Sequence, residues 1–362
     1  MSVILFFVVL FVLVIAHEFG HFIIAKKAGI RVDEFAFGFP PRLGSIKRGE
    51  TRYSFNALPL GGYVKIFGED ATEVGDSPDR KRSFSAQPLY IQAAVIVAGV
   101  VFNLLLAWLL LTATLMIGIP APDDGGDGYP VSGVQLMVTG VRPNTPAQLS
   151  GFASGDKLIS LSDGNDTVTE LTPERVSAFI GPRENRPITV LYTRKGVESS
   201  VTLVPVSGIV PDAAAIGIQM DMVGTLKLPA HLAIWEGLQK TYQYTVLTAD
   251  GIYTFLKSAV MGESDFSQVT GPVGIVQAVG DAADVGFSNL LLFTALISIN
   301  LAVINVIPFP ALDGGRLLFI VIEAVTRRPI NVKVANMFNL GGFALLMLLM
   351  LLVTWHDISK LL

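Results

Sequence analysis

The sequence predicts a polytopic α-helical membrane protein with four transmembrane helices, an inserted extracytoplasmic α+β domain and a cytoplasmic-side membrane-associated β-hairpin region. Three observations predict it. Of 362 residues, 51% are hydrophobic and 15% charged, against about 25% charged in an average soluble domain. Four stretches, within 2–25, 89–119, 285–312 and 334–355, are apolar over the roughly 20 residues that a bilayer crossing needs. Two of only four histidines stand four residues apart where the first stretch ends, in His17-Glu18-Phe19-Gly20-His21.

The first span (1–28 with its flanks) carries no charge from Ser2 to Ala16. It lacks a basic leader, and the zone where a signal peptide would be cut runs straight into His17, so it reads as a retained helix. On a helix, residues i and i+4 lie one above the other. His17 and His21 therefore offer two imidazoles to one metal ion, with Glu18 beside them, which is the pattern of zinc hydrolases. A chance match of five residues is the competing reading. Against it, ionisable groups are costly within a bilayer and mark function there. The helix from Ser2 to His17 rises roughly 22 Å, which carries the histidines past the midplane of a core of about 30 Å. The chain has no cysteine, so disulfides, thiol catalysis and cysteine-type zinc sites are excluded, and a zinc site must draw on His, Asp or Glu. A net charge of −4 gives no case for nucleic acid as a partner.

Loop charges set the expected orientation. Residues 26–88 carry eleven Lys and Arg, and the short loop 316–333 carries Arg316, Arg327, Arg328 and Lys333. Both loops are then cytoplasmic. Residues 120–284 carry ten Lys and Arg against eighteen Asp and Glu and fall on the opposite side, with both termini. Within the loop 29–88, residues 29–67 are extended pieces punctuated by Gly and Pro, and Phe35, Phe37 and Phe39 alternate as on one strand face. Such a piece either dips into the membrane edge beside the site or forms a small cytoplasmic hairpin with no substrate role.

After the second span (89–119) comes an Asp- and Gly-rich linker, 120–130, and then a compact β-rich domain, 131–206. Its strand-like runs start at Val134, Lys157, Ile188 and Ser200. Thr172, Pro173 and Glu174 announce a helix running to Ile180, with Thr172 as N-cap. The stretch 207–284 reads as a linker holding an amphipathic helix, 228–262, at the membrane interface rather than across it, because Asp250 and Lys257 interrupt its apolar run.

The third span, 285–315, ends in Asn305-Val-Ile-Pro-Phe-Pro-Ala-Leu-Asp-Gly-Gly. Asp313 is the only acid between Asp284 and Glu323. It emerges on the side where the first span delivers His17 and His21, and a carboxylate there completes a two-histidine, one-carboxylate metal site. Alternatively Asp-Gly-Gly is only the turn that ends the span. Pro308 and Pro310 break the helix ahead of it, and the freed backbone groups can pair with an extended peptide. The fourth span covers 334–356.

Taken together, the His17–His21 motif, Gly99-Val-Val-Phe-Asn103 in the second span and Asn305 to Gly315 in the third resemble the site-2 protease family, in its RseP-type bacterial branch of intramembrane zinc metalloproteases. The resemblance covers most of the chain. It implies a metalloendopeptidase in which His17, His21 and Asp313 bind Zn2+ and Glu18 is the general base on a zinc-activated water. It also implies that Asn305, Pro308, Pro310, Gly61 and Gly62 handle unwound substrate. The expected partners are single-pass membrane proteins, such as an anti-sigma factor or remnant signal peptides, and the lipid bilayer. The expected location is the bacterial inner membrane, with the active site toward the cytoplasm. Gly271-Pro-Val-Gly-Ile resembles a family segment of structural or gating role. The run from Val141 to Ile159 resembles a PDZ module, single here where some members carry two. That module either takes peptides by strand addition or acts as a steric filter. Two other classes compete: a non-catalytic PDZ-bearing membrane scaffold with a relict metal site, and a metal transporter. No motif member is missing, and no repeated halves are present to favour the transporter.

Overall fold

The computed structural model describes residues 1–69, 79–123, 128–194, 196–211, 213–262 and 270–361. Of the expected Asp- and Gly-rich linker, residues 124–127 lie outside that description. The chain divides into two compact units, unit 1 formed by residues 1–113 and 231–362 and unit 2 by residues 114–230.

Unit 1 begins with helix α1, Ser2–Lys27. Its end follows from local chemistry. Gly29 adopts the left-handed conformation that a residue without Cβ tolerates. The Ile30 N–H then donates to the Ala25 carbonyl at 3.0 Å and the Gly29 N–H to the Lys26 carbonyl at 3.1 Å. This paired closure satisfies the last carbonyls, and Ala25 and Ile30 are both fully buried beneath it. Strands β1, Val32–Arg48, and β2, Thr51–Ile66, follow and pair with one another.

The expected β-hairpin is present, and its two long strands fold back on themselves into a wider sheet. Residues 34–37 lie between 62–65 on one side and 52–55 on the other, and 52–55 is flanked in turn by 44–47. Buried Asn56 donates from Nδ2 to the Gly38 carbonyl at 2.9 Å, and Thr51 from its hydroxyl to the Val32 carbonyl at 2.8 Å, which ties the layers together. Lys26 and Arg82 both reach Glu50 in the turn, at 2.6 and 2.8 Å. They hold its carboxyl below the ordinary range, Lys26 contributing most.

Helix α2, Leu89–Ile117, lies along α1. A Cβ on Gly20 of α1 would strike the Ala98 backbone of α2, so the contact requires glycine. In strand–helix order unit 2 then contributes β3, Ile119–Pro122, and β4, Val131–Val141; α3, Pro146–Leu149; β5, Lys157–Ser162; β6, Thr167–Val168; and α4, Pro173–Ile180. Next come β7, Ile188–Arg194; β8, Val197–Leu203; β9, Val206–Val210; β10, Ala213–Ala215; and β11, Ile218–Leu226. The antiparallel sheet runs β3-β11-β4-β5-β7-β8, with β6 beside β5 and β9-β10 as a separate pair.

This sheet extends beyond residues 131–206. Strand β11 stands where a linker was expected and pairs with both β4 and β3. Leu136, Val138, Leu161, Val176, Ile188 and Val190 form the buried core, each contributing roughly 1.5–3 kcal/mol by leaving water. At α4 the Thr172 hydroxyl accepts from the Arg175 N–H at 3.3 Å, with Pro173 in the first turn.

The rest of unit 1 is helical: α5, Ala230–Met261; α6, Pro272–Val285; α7, Phe287–Val306; α8, Asp313–Thr326; and α9, Val332–Leu361. Helices α1, α2, α7 and α9 are long and apolar enough to cross a membrane; among the described residues α5 is not. Helix α6 packs on α1 and α7. Its first turn is capped from α9, where buried Asp357 accepts from the N–H groups of Gly271 and Gly274 at 3.2 and 2.9 Å.

Two expectations about the third span are corrected. Helix α7 stops at Val306, because Pro308 cannot continue it. Asp313 does not close that span but opens the separate helix α8, and α8 occupies 313–326, where a loop was expected.

Candidate metal centre

The site is assembled from three helices. His17 and His21 project from adjacent turns of α1. Their Nε2 atoms lie 3.2 Å apart, and each stands beside Asp313 Oδ2, at 3.1 Å from His17 and 3.2 Å from His21. Asp313 Oδ2 is buried yet makes no hydrogen bond. The three atoms lie within 3.2 Å of one another. Ligands held at about 2.0–2.1 Å by a tetrahedral zinc ion stand roughly 3.3 Å apart. The donor set therefore fits zinc in both chemistry and spacing. Among the described residues it is the one such cluster of His, Asp and Glu.

Helix α2 supplies the wall. A Cβ on Gly99 would lie 2.5 Å from His21 Nε2 and 2.7 Å from His17 Cε1, so only glycine lets α2 approach the imidazoles. The Val95 carbonyl accepts from His21 Nδ1 at 2.8 Å. That bond leaves the lone pair on Nε2, where the carboxylate converges. Asn103 reaches His17 Nδ1 from the next turn, at 3.2 Å. Val95, Gly99 and Asn103 recur every four residues, matching the spacing of the two histidines.

Asp313 is delivered by a backbone that two glycines make possible. A Cβ on Gly314 would collide with the carbonyls of Val306 and Ile307, and one on Gly315 with that of Phe309. The start of α8 can thus nest against the chain leaving α7. As the first residue of α8, Asp313 also sits at the positive end of a helix dipole.

Glu18 lies one residue from His17 and faces the folded sheet. A Cβ on Gly62 would approach Glu18 Cγ to 3.3 Å and Val14 Cγ1 to 2.7 Å. Gly62 belongs to the 62–65 edge of that sheet, and Gly61 packs beneath the Phe39 ring. Arg316, one turn beyond Asp313, forms an ion pair with Glu69.

The remaining residues expected at the site are placed as follows. Asn305 is half-buried on the last turn of α7, and Pro308 is exposed in the break after it. Pro310 packs against Gly342 of α9, and the Ala311 N–H donates to Asn339 Oδ1 at 3.4 Å. Three contributors were not named from sequence in these roles: the Val95 carbonyl, the Gly99 cradle and the Asn103 amide. Asn103 left a signal, being the sole amide side chain after Gln92 in the second span. A backbone carbonyl leaves none.

Comparison with known proteins agrees with this chemistry. A model of peptidase family M50 matches residues 5–349. The zinc metalloprotease RasP of Geobacillus kaustophilus is 32% identical, the match covering 99% of this chain and 98% of that protein. The zinc metalloprotease RasP of Oceanobacillus iheyensis is 29% identical, with all of both chains covered. The protein is accordingly a zinc metalloprotease embedded in a membrane by its long apolar helices. More narrowly, the chain belongs to peptidase family M50, the site-2 protease family.

Proposed function

We propose that this protease cuts peptide bonds within or beside the membrane-spanning segment of single-pass membrane proteins, with His17, His21 and Asp313 as its zinc ligands and Glu18 as its general base. The observation that carries the reading is the convergence of three donor atoms within 3.2 Å of one another, with Glu18 on the same helix turn. Bound zinc supplies Lewis acidity, which polarises a carbonyl and brings the pKa of water to about 7. Glu18 takes the proton from the attacking water and hands it to the departing amine nitrogen. Asp313 and the two imidazoles hold their donors in place before substrate arrives.

A helical peptide bond is shielded, so substrate must be extended at the cut. The 62–65 edge of the folded sheet offers backbone groups beside Glu18, and Gly61 and Gly62 keep that approach free of side chains. Asn305, Pro308 and Pro310 line the break after α7 as a second support. The basic loops 26–88 and 316–333 favour a cytoplasmic position for the sheet and the site, in the bacterial inner membrane. Unit 2 and both termini are then extracytoplasmic. Unit 2 acts as a PDZ-type module that screens substrates already shortened on their outer side, such as a trimmed anti-sigma factor or a remnant signal peptide.

Purified wild type, Glu18→Gln and Asp313→Ala are compared on a model single-span substrate, with zinc measured on each. Glu18→Gln keeps its zinc and loses at least about 100-fold in cleavage, whereas Asp313→Ala loses zinc and cleavage together. Full cleavage by Glu18→Gln would sink the assignment. Zinc retention without cleavage in all three would favour the scaffold reading.

A further inference from the structure

Asn103 is fully buried on α2. Its Nδ2 stands 3.2 Å from His17 Nδ1, while its Oδ1 is buried without a hydrogen-bond partner. An amide occupies the same volume when turned by 180°, with oxygen and nitrogen exchanged, so the choice of orientation is decided by its neighbours. Here the deciding neighbour is His17. Its Nε2 converges with His21 Nε2 and Asp313 Oδ2 and must carry a lone pair to bind a cation. The ring proton then resides on Nδ1, which needs an acceptor. An amide N–H facing Nδ1 would oppose donor to donor; an amide oxygen there accepts.

We infer that Asn103 is a positioning residue whose side-chain oxygen accepts the Nδ1 proton of His17 and so fixes the tautomer and ring angle that aim Nε2 at the metal. The inference rests on the reading of His17 and His21 as zinc ligands. It gives both histidines the same support by different means, a side-chain carbonyl for His17 and the Val95 backbone carbonyl for His21. Asn103 is itself anchored. Its backbone carbonyl accepts from the buried Ser298 hydroxyl of α7 at 2.7 Å, so the helix that precedes the Asp313 segment also steadies the support of His17.

The test uses full-length protein in detergent and measures zinc affinity by chelator competition. Asn103→Leu keeps the shape but removes the acceptor, and its zinc affinity falls about 10–100-fold. Asn103→Asp offers only acceptors and stays within a few-fold of wild type. Equal losses in the two variants, or no loss in Asn103→Leu, would overturn the inference. A second measurement needs no change at position 103. In zinc-loaded protein carrying 15N-histidine, the His17 signal, assigned by its absence in His17→Ala, reports a proton on Nδ1; a proton on Nε2 overturns the proposal. Undiminished zinc affinity in His17→Ala and Asp313→Ala would instead defeat the ligand reading itself, whatever Asn103 does.

Discussion

In unit 2 the buried centre is a cluster of branched and aromatic side chains, among them Leu161, Val176, Phe179, Ile188 and Val190. Unit 1 adds close approaches of backbone at glycines. Gly20 meets Ala98, Gly99 meets the two histidines, Gly237 of α5 meets Thr112, and Gly342 meets Pro310. Large apolar residues of unit 1, such as Ile4, Leu109, Leu348, Leu351 and Leu352, point outward. In lipid those side chains gain nothing by moving inward, and helices hold together through close backbone approach and buried hydrogen bonds. Unit 2 relies on removing apolar surface from water. The difference teaches where a small substitution hurts. At the glycines around the unit 1 site an added methyl group is the damaging change, and in the core of unit 2 a removed side chain is.

Gly99→Ala gives the largest expected effect. Its new methyl group would displace both imidazoles, so zinc content and cleavage fall together, by roughly 10–100-fold in affinity if the loss matches that of a disturbed ligand support. Chelator competition checks this, and normal zinc affinity in the Gly99→Ala variant would break the comparison. Leu161→Ala comes next. It destabilises unit 2 by about 2–5 kcal/mol, seen as faster hydrogen exchange across β5 and β7 in the full chain, while zinc content stays unchanged. Zinc loss in that variant would break the comparison, because the metal centre would then depend on the core of unit 2.

The smallest effect concerns acid. The backbone N–H of Asp166, followed by the Arg183 guanidinium, holds the Asp163 carboxyl well below the ordinary carboxylate range. A depressed folded pKa adds stability above the unfolded value, about 3.9, and that stability is lost as pH falls through the folded value. Hydrogen exchange around α4 should therefore be insensitive to this group from pH 8 to 5 and rise only below about 4. Asp163→Asn should flatten that acid limb.

Much of this architecture was legible because it is written locally. The His17–His21 spacing, the uncharged runs and the Thr172-Pro173 cap each need only a few neighbouring residues. What escaped depends on distant partners. Residues 34–37 pair with two separate segments of β2, and alternation alone does not reveal a second partner. Strand β11 completes a sheet that begins almost a hundred residues earlier, at β3. Gly314 and Gly315 look like a turn because glycine disfavours helix. They open α8 because the carbonyls left exposed after α7 exclude any larger residue.

The converging donors lie at opposite ends of the chain, His17 and His21 in the first helix and Asp313 near the last. A ribosome adding about 5–20 residues per second reaches Asp313 roughly 15–60 seconds after it has made His21. Throughout that interval the histidine helix is already in existence without its carboxylate. With the proposed ligand set, the order of synthesis thus serves as a safety catch, since the nascent chain carries no complete metal site until Asp313 has been added.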